Sequence, residues 1–290
     1  MLAPMHLIRA ILPILGGLVF LVPTSARTQA PGVPVQEDET YRKTVTAAAE
    51  TLLKQGKLLP LDSFQPGLAK TQARPLAPLP PATSTPLSPA QVCEKARRAM
   101  LSIGTLYRCG KCELWHTNLA GGYAIQTGGV AVTSLHVLKN GEHPESYLIA
   151  ADAQGRVFPV LEILGVHLSA DAVILQTGAS DLDPLPLQTS AHPGDPVFCL
   201  SSPGGVRELF TTGIVSRFFA KSGSVFLHVT ADWASGSSGS PVLDRFGNVL
   251  GHVASTRPLK ASGTPETRYI QTVLKEATAA AEIVKLLAPH

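Results

Sequence analysis

The stretch ADWASGSSGSPV (231–242) decides between two readings of this chain. In isolation, GSSGS is the composition of a flexible linker, because Gly and Ser runs bury nothing that would offset the entropy of ordering. Here the run is short, with Trp233 before it and Pro241, Val242 and Leu243 after it. A serine set between Gly236 and Gly239 is also what a nucleophile loop needs. Its backbone must turn an amide inward and let neighbouring chain come close.

A serine is a weak nucleophile unless a base lies within hydrogen-bond reach and a carboxylate orients that base. Two upstream segments supply those parts. GGVAVTSLHVLKN (128–140) reads as a glycine turn, a strand, and His136 where the strand ends. HLSADAVILQT (167–177) places Asp171 just ahead of an apolar strand, at the rim of a core. An α/β-hydrolase elbow is excluded, because it needs Gly two residues after the serine and position 240 is Ser.

Thr133-Ser-Leu-His136-Val137, Asp171-Ala-Val-Ile-Leu175 and Gly236-Ser-Ser238-Gly-Ser-Pro241 together resemble the trypsin-like (chymotrypsin-fold) serine proteases, particularly the exported bacterial HtrA/Deg type. CLSSPGG (199–205), TTGIVSR (211–217) and GNVLGHVAST (247–256) extend the resemblance over roughly residues 98–256. It implies an all-β fold of two packed six-stranded antiparallel barrels with the site between them. It also implies a serine endopeptidase acting on polypeptide through an acyl-enzyme. In that reading His136 is the base, Asp171 holds its tautomer, Ser238 attacks, and the N–H groups of Gly236 and Ser238 form the oxyanion hole.

The chain departs from the family in places. Ser237 stands where digestive trypsins carry an Asp that pairs with a newly cut N-terminus, so activation of that kind is not implied. Only 52 residues follow Ser238, too few for the PDZ domain of HtrA proteases. Counting back six residues from Ser238 puts Asp232 at the base of the primary pocket, favouring Lys or Arg. Alternatively, Trp233 faces the pocket instead. His252, Val253 and Ala254 are the expected backbone contacts to an added substrate strand. A catalytically silent binding module is the alternative function, although it would not need all three triad residues.

The remaining sequence frames this domain. Residues 10–22 are an apolar core followed by small residues, which reads as a signal peptide (1–26) cut after Ala26. Export to the periplasm or exterior follows. At 13 residues the core is short for about 30 Å of hydrocarbon, so membrane attachment arises only if cleavage fails. Residues 27–97 read as an arm: an amphipathic helix at 40–56, a proline-rich linker at 59–90, and a second helix with Ser88 as N-cap and Pro89 in its first turn. The arm is a pro-segment, a tether or a clamp. The protease domain is placed at 98–275 and a helical C-terminus at 276–290, with TVLKEATAAAEIVKLLAPH (272–290) helical by composition. Lys and Arg number 24 against 21 acids without a basic run, which excludes a nucleic-acid surface.

Four cysteines in an exported chain, Cys93, Cys109, Cys112 and Cys199, point to disulfides; Cys109 and Cys112 have a spacing that can close on itself, and the sequence does not choose among the three pairings. With His116 the same C-x-x-C could be half a zinc site, but only three ligands are in local reach. No metal or other cofactor is expected.

Overall fold

Short runs of alternating or continuous apolar residues, broken by Gly, Asn, Asp and Pro, become twelve strands in the computed structural model, which describes residues 35–69, 78–139, 143, 145–264 and 269–287. The signal segment 1–26 and part of the proline-rich linker lie outside the described residues. Strands β1 (Met100–Arg108), β2 (Trp115–Gln126), β3 (Val130–Ser134), β4 (Ser146–Asp152), β5 (Val157–His167) and β6 (Ala172–Thr177) close into one antiparallel barrel in the order β1-β2-β3-β6-β5-β4. Strands β7 (Pro196–Ser201), β8 (Leu209–Lys221), β9 (Ser224–Val229), β10 (Pro241–Leu243), β11 (Val249–Lys260) and β12 (Ile270–Ala279) close the second in the order β10-β11-β12-β9-β8-β7. Closure removes the unpaired edges that an open sheet would expose.

The strands that meet at the barrel interface are buried on both faces, and their two-residue period divides the side chains. Val130 and Val132 of β3 and Ala172 and Ile174 of β6 point into the core shared between the barrels. Ala131, Val173 and Leu175, one residue out of phase, fill the interior of the first barrel. The second barrel is filled by Val197, Val215, Leu227, Val242 and Trp233.

Helix α1 (Asp38–Lys54) buries Val45 and Ala49 against Leu106 and Ile149 of the first barrel. Helix α2 (Pro89–Ala99) begins as the sequence requires. The Ser88 side chain accepts from the Gln91 N–H, and the Gln91 side chain accepts from the Ser88 N–H, a reciprocal cap with Pro89 in the first turn. Val92, Ala96 and Ala99 then join the shared core together with Ile283 and Leu286 of helix α3 (Ala280–Leu287).

The C-terminal boundary differs from the sequence expectation. Residues from Ile270 to Ala279 are strand, and the helix starts only at Ala280. Alanine-rich composition favours helix, but β12 is needed to join β11 to β9, and Ala277 and Ala279 sit in the second barrel's interior. Glu276 is buried within this strand and is held by Arg257 Nε at 2.8 Å and Ser255 Oγ at 3.0 Å. The barrel domain therefore runs past residue 275.

All four cysteines are free thiols, so the expected Cys109–Cys112 disulfide is not formed. Cys199 is buried in the second barrel, and burial pushes its thiol up to about 12, which keeps it protonated and inert.

Ser88→Ala should destabilise the domain by about 1 kcal/mol through loss of the cap. A lower denaturant midpoint with an unchanged slope is the expected outcome.

Candidate active site

Two of the three chemistry-bearing residues sit at the ends of strands, and the third comes from a loop. His136 lies in a single 3-10 turn (Leu135–Lys139) directly after β3. Asp171 immediately precedes β6 and has φ +53°, a left-handed conformation uncommon for a residue with a Cβ. Its backbone is fixed on both sides, by its N–H to Leu168 O at 3.3 Å and by Leu135 N–H to its own C=O at 3.1 Å. Ser238 comes from the loop before β10, in the other barrel.

The structure brings these three together. His136 Nδ1 lies 2.5 Å from Asp171 Oδ2, and Nε2 lies 2.8 Å from Ser238 Oγ. The His136 backbone N–H also donates to Asp171 Oδ1 at 2.9 Å, so the carboxylate grips both the ring and the chain that carries it. An imidazole bonded to a carboxylate through Nδ1 presents its other nitrogen as the acceptor for a hydroxyl proton.

The loop carrying Ser238 is stitched to its surroundings by backbone. Ser238 C=O accepts from Gly121 N–H at 2.8 Å, and Gly239 N–H donates to Val253 C=O at 2.8 Å. Gly239 has φ +82°, and a Cβ there would lie 2.3 Å from Thr133 Oγ1 and 2.4 Å from Gly121 O. Only glycine fits on both counts. Gly121 was not singled out from sequence, although a Gly-Gly pair within a strand is the usual sign of close backbone approach. A Cβ on it would lie 2.0 Å from Ser240 Oγ.

Ala234 to Ser237 form a turn closed by Ser237 N–H to Ala234 C=O at 3.1 Å, with Gly236 at φ +95° in its third position. Gly204 N–H donates to Ser235 C=O at 2.7 Å. In a trans peptide the C=O and N–H point in opposite directions, so this grip turns the Gly236 N–H away from the 202–205 loop.

That loop is itself anchored by the arm. Arg207 N–H donates to Asp38 Oδ1 at 3.0 Å, and its guanidinium reaches Gln36 Oε1 at 3.0 Å and lies 3.5 Å from the centre of the Tyr41 ring. Glu208, at φ +54°, accepts from Gln36 Nε2 at 2.7 Å and ion-pairs with Arg97 of α2 at 2.7 Å. A groove of about 460 Å³ opens beside Gly204, between Asp38 and Tyr41 of α1 and Asn118 and Leu119 of β2.

The expected specificity residues are placed otherwise. Trp233 is buried in the second barrel, with its indole N–H donating to Ser255 O at 3.1 Å, so it does not face a cleft. Asp232 is exposed and paired with Lys275 Nζ at 2.6 Å, and this bond holds its carboxyl below the usual range. Its charge is already met within the chain, which removes the case for a Lys- or Arg-selective pocket built on it. His252 is flanked on both sides by strand partners, Pro241 and Thr278. The C=O of Val253 is taken by Gly239 and Ser134 Oγ. Neither residue is free to pair with an added strand. Ala254, half-exposed, sits at the bulge in the β11–β12 register.

Residues 120–251, which include His136, Asp171 and Ser238, match the family model described as Trypsin-like peptidase domain. The chain is 32% identical over 124 residues to Protease Do-like 5, chloroplastic, of Arabidopsis thaliana, a match that takes in 39% of this chain and 38% of that protein. The chain thus spans well under half the length of this relative. A crystal structure described as the serine endoprotease from Yersinia pestis superposes with a TM-score of 0.51 and 23% identity, covering 70% of this chain and 68% of that one. At that identity the likeness speaks for the fold, which is the chymotrypsin-like pair of barrels.

His252 makes the domain acid-sensitive. It is fully buried, and burial lowers its pKa from 6.5 to about 4 against the opposing pull of Asp171. A depressed histidine binds its proton in the unfolded chain first. Its stabilising contribution is therefore complete above about pH 6.5 and lost as pH falls towards 4, up to about 3 kcal/mol. Urea titrations at stepped pH should show this loss in the wild type and a smaller one in His252→Phe.

Proposed function

We propose that this chain, which carries a trypsin-like peptidase domain over residues 120–251, is an exported serine endopeptidase that cleaves polypeptide through a covalent acyl-enzyme. The observation that carries the reading is the unbroken line from Asp171 Oδ2 through the His136 ring to Ser238 Oγ, with separations of 2.5 and 2.8 Å.

In the proposed reaction His136 Nε2 takes the Ser238 hydroxyl proton as Oγ attacks the substrate carbonyl. Asp171 keeps the second ring proton on Nδ1 and stabilises the imidazolium that forms. The carbonyl oxygen becomes an oxyanion, held by the N–H groups of Gly236 and Ser238. Collapse of the tetrahedral adduct breaks the peptide bond, and His136 gives its proton to the leaving amine. Water then repeats the sequence on the acyl-enzyme and releases Ser238. The groove beside Gly204 is the proposed seat for part of the substrate chain.

The N-terminal arm belongs to the working enzyme in this reading rather than to a discarded pro-segment. Gln36, Asp38 and Tyr41 hold Arg207 and Glu208, and the same loop supplies the Gly204 N–H that orients the Ser235–Gly236 peptide. Export rests on the apolar segment 10–22, and the mature chain is expected to begin at Arg27.

A fluorophosphonate probe should label the wild type and fail to label Ser238→Ala, and Asp171→Asn should lower kcat by about 10⁴-fold with little change in KM. A folded wild type that takes no label would turn the reading towards a binding module. Arg207→Ala should lower kcat about tenfold, or roughly 1.4 kcal/mol of transition-state stabilisation, and slow probe labelling equally while substrate KM holds. An unchanged kcat would detach the arm from the chemistry, as would an active mature protein whose intact mass lacks residues 36–54.

A further inference from the structure

The tip of the β1–β2 hairpin lies outside the proposed peptidase chemistry, and its side chains converge. Strand β1 ends at Arg108 and β2 begins at Trp115. Between them Gly110, at φ +72°, turns the chain back on itself. Cys109 Sγ and Cys112 Sγ lie 3.5 Å apart, and His116 Nε2 lies 3.1 Å from Cys112 Sγ. The three ligand atoms fall within 4.8 Å of one another. Lys111 N–H donates to Cys109 Sγ at 3.4 Å, a contact that favours a sulfur carrying negative charge.

We propose that Cys109, Cys112 and His116 form a binding site for a thiophilic divalent ion, Zn²⁺ above all, with one coordination place left to water or an outside donor. Tetrahedral zinc with Zn–S of about 2.3 Å and Zn–N of about 2.0 Å has ligand-to-ligand edges of roughly 3.5–3.8 Å. The observed 3.5 and 3.1 Å are within a few tenths of those edges. The donor set, two soft sulfurs and one imidazole, selects zinc over magnesium or calcium, which take oxygen.

A disulfide would use only the two sulfurs, whereas a metal uses all three groups that the β1–β2 hairpin brings together. The imidazole is also steadied from outside. It tilts against the Tyr107 ring at 5.7 Å, and the other neighbour of that ring is His143, stacked at 4.1 Å. These ring contacts limit how far the imidazole can turn away from the sulfurs. Binding breaks two S–H bonds and releases both protons to solvent, so no oxidant is needed and affinity rises with pH. The site clips the loop 109–114 to the start of β2, the strand whose Gly121 meets Ser238 further along.

The test uses the full chain, purified reduced and without chelator. About one zinc per chain is expected by elemental analysis. Cys112→Ser and His116→Ala should each lower Zn²⁺ affinity by about 100-fold or more while the unfolding midpoint of the barrels holds. Co²⁺ added to the metal-free wild type should give a thiolate charge-transfer band and the intense visible bands of a tetrahedral ion. The proposal is overturned if the wild type holds no more Zn²⁺ or Co²⁺ than Cys112→Ser. It is equally overturned if protein recovered from the exported compartment is two hydrogens lighter with Cys109 joined to Cys112. Full Zn²⁺ affinity in His116→Ala would remove the third ligand and with it the site. None of these readouts depends on peptidase activity.

Discussion

The close approach of the Ser238 loop to the first barrel is the constraint on which the rest of the structure depends. Ser238 is carried by the second barrel, but its C=O is bound by Gly121 of β2, and Gly239 packs against Thr133 and Ser134 of β3 with no room for a side-chain carbon. Because His136 follows β3 without a break, the contact that seats the serine also fixes where the imidazole starts. Further bonds cross the same seam, from Ser134 Oγ to Val253 O at 3.0 Å and from Thr278 Oγ1 to Ala170 O at 2.6 Å, one residue before Asp171. The three residues are thus aligned by backbone packing and short hydroxyl side chains between the barrels.

Buried polar groups mark where the structure is held under demand. His252 is enclosed behind Asp171 with Nδ1 unpartnered among the described residues, and its charged form is disfavoured there. Glu276 is a buried carboxylate held by Arg257 and Ser255, and the part-buried Glu208 is held by Arg97, Arg207 and Gln36. Glu208 connects α2, the arm and the loop behind Gly236, so a segment that looks peripheral in sequence becomes continuous with the Ser238 loop. Such a connection costs desolvation and gains geometric definition.

The strand pattern was legible because most segments announce themselves through a two-residue period and are bounded by turn residues. The interface strands β3 and β6 were legible as continuous apolar runs. The C-terminal boundary was not. Residues 272–279 carry the alanine content of a helix, and only the need to bridge β9 and β11 makes them strand. Trp233 and Asp232 were equally opaque, since adjacent residues in extended chain point to opposite sides and the sequence does not say which side is core. Gly121 and Gly204 were overlooked because a glycine's part in close approach depends on a neighbour distant in sequence.

By itself, the sequence determined the chemistry on offer: His136, Asp171 and Ser238, spaced 35 and 67 residues apart, with His136 just after a strand-like run, Asp171 just before one, and glycines around the serine. It also determined a series of short strand-like runs broken by Gly, Asn, Asp and Pro. Only the tertiary structure decided which backbone groups around Ser238 are engaged across the barrels, that the arm grips the loop behind Gly236, and that Cys109, Cys112 and His116 converge. The reason is physical: residue type and local period specify what an element can bury and donate, whereas direction and distance between elements are set by barrel closure and by the packing of one barrel against the other.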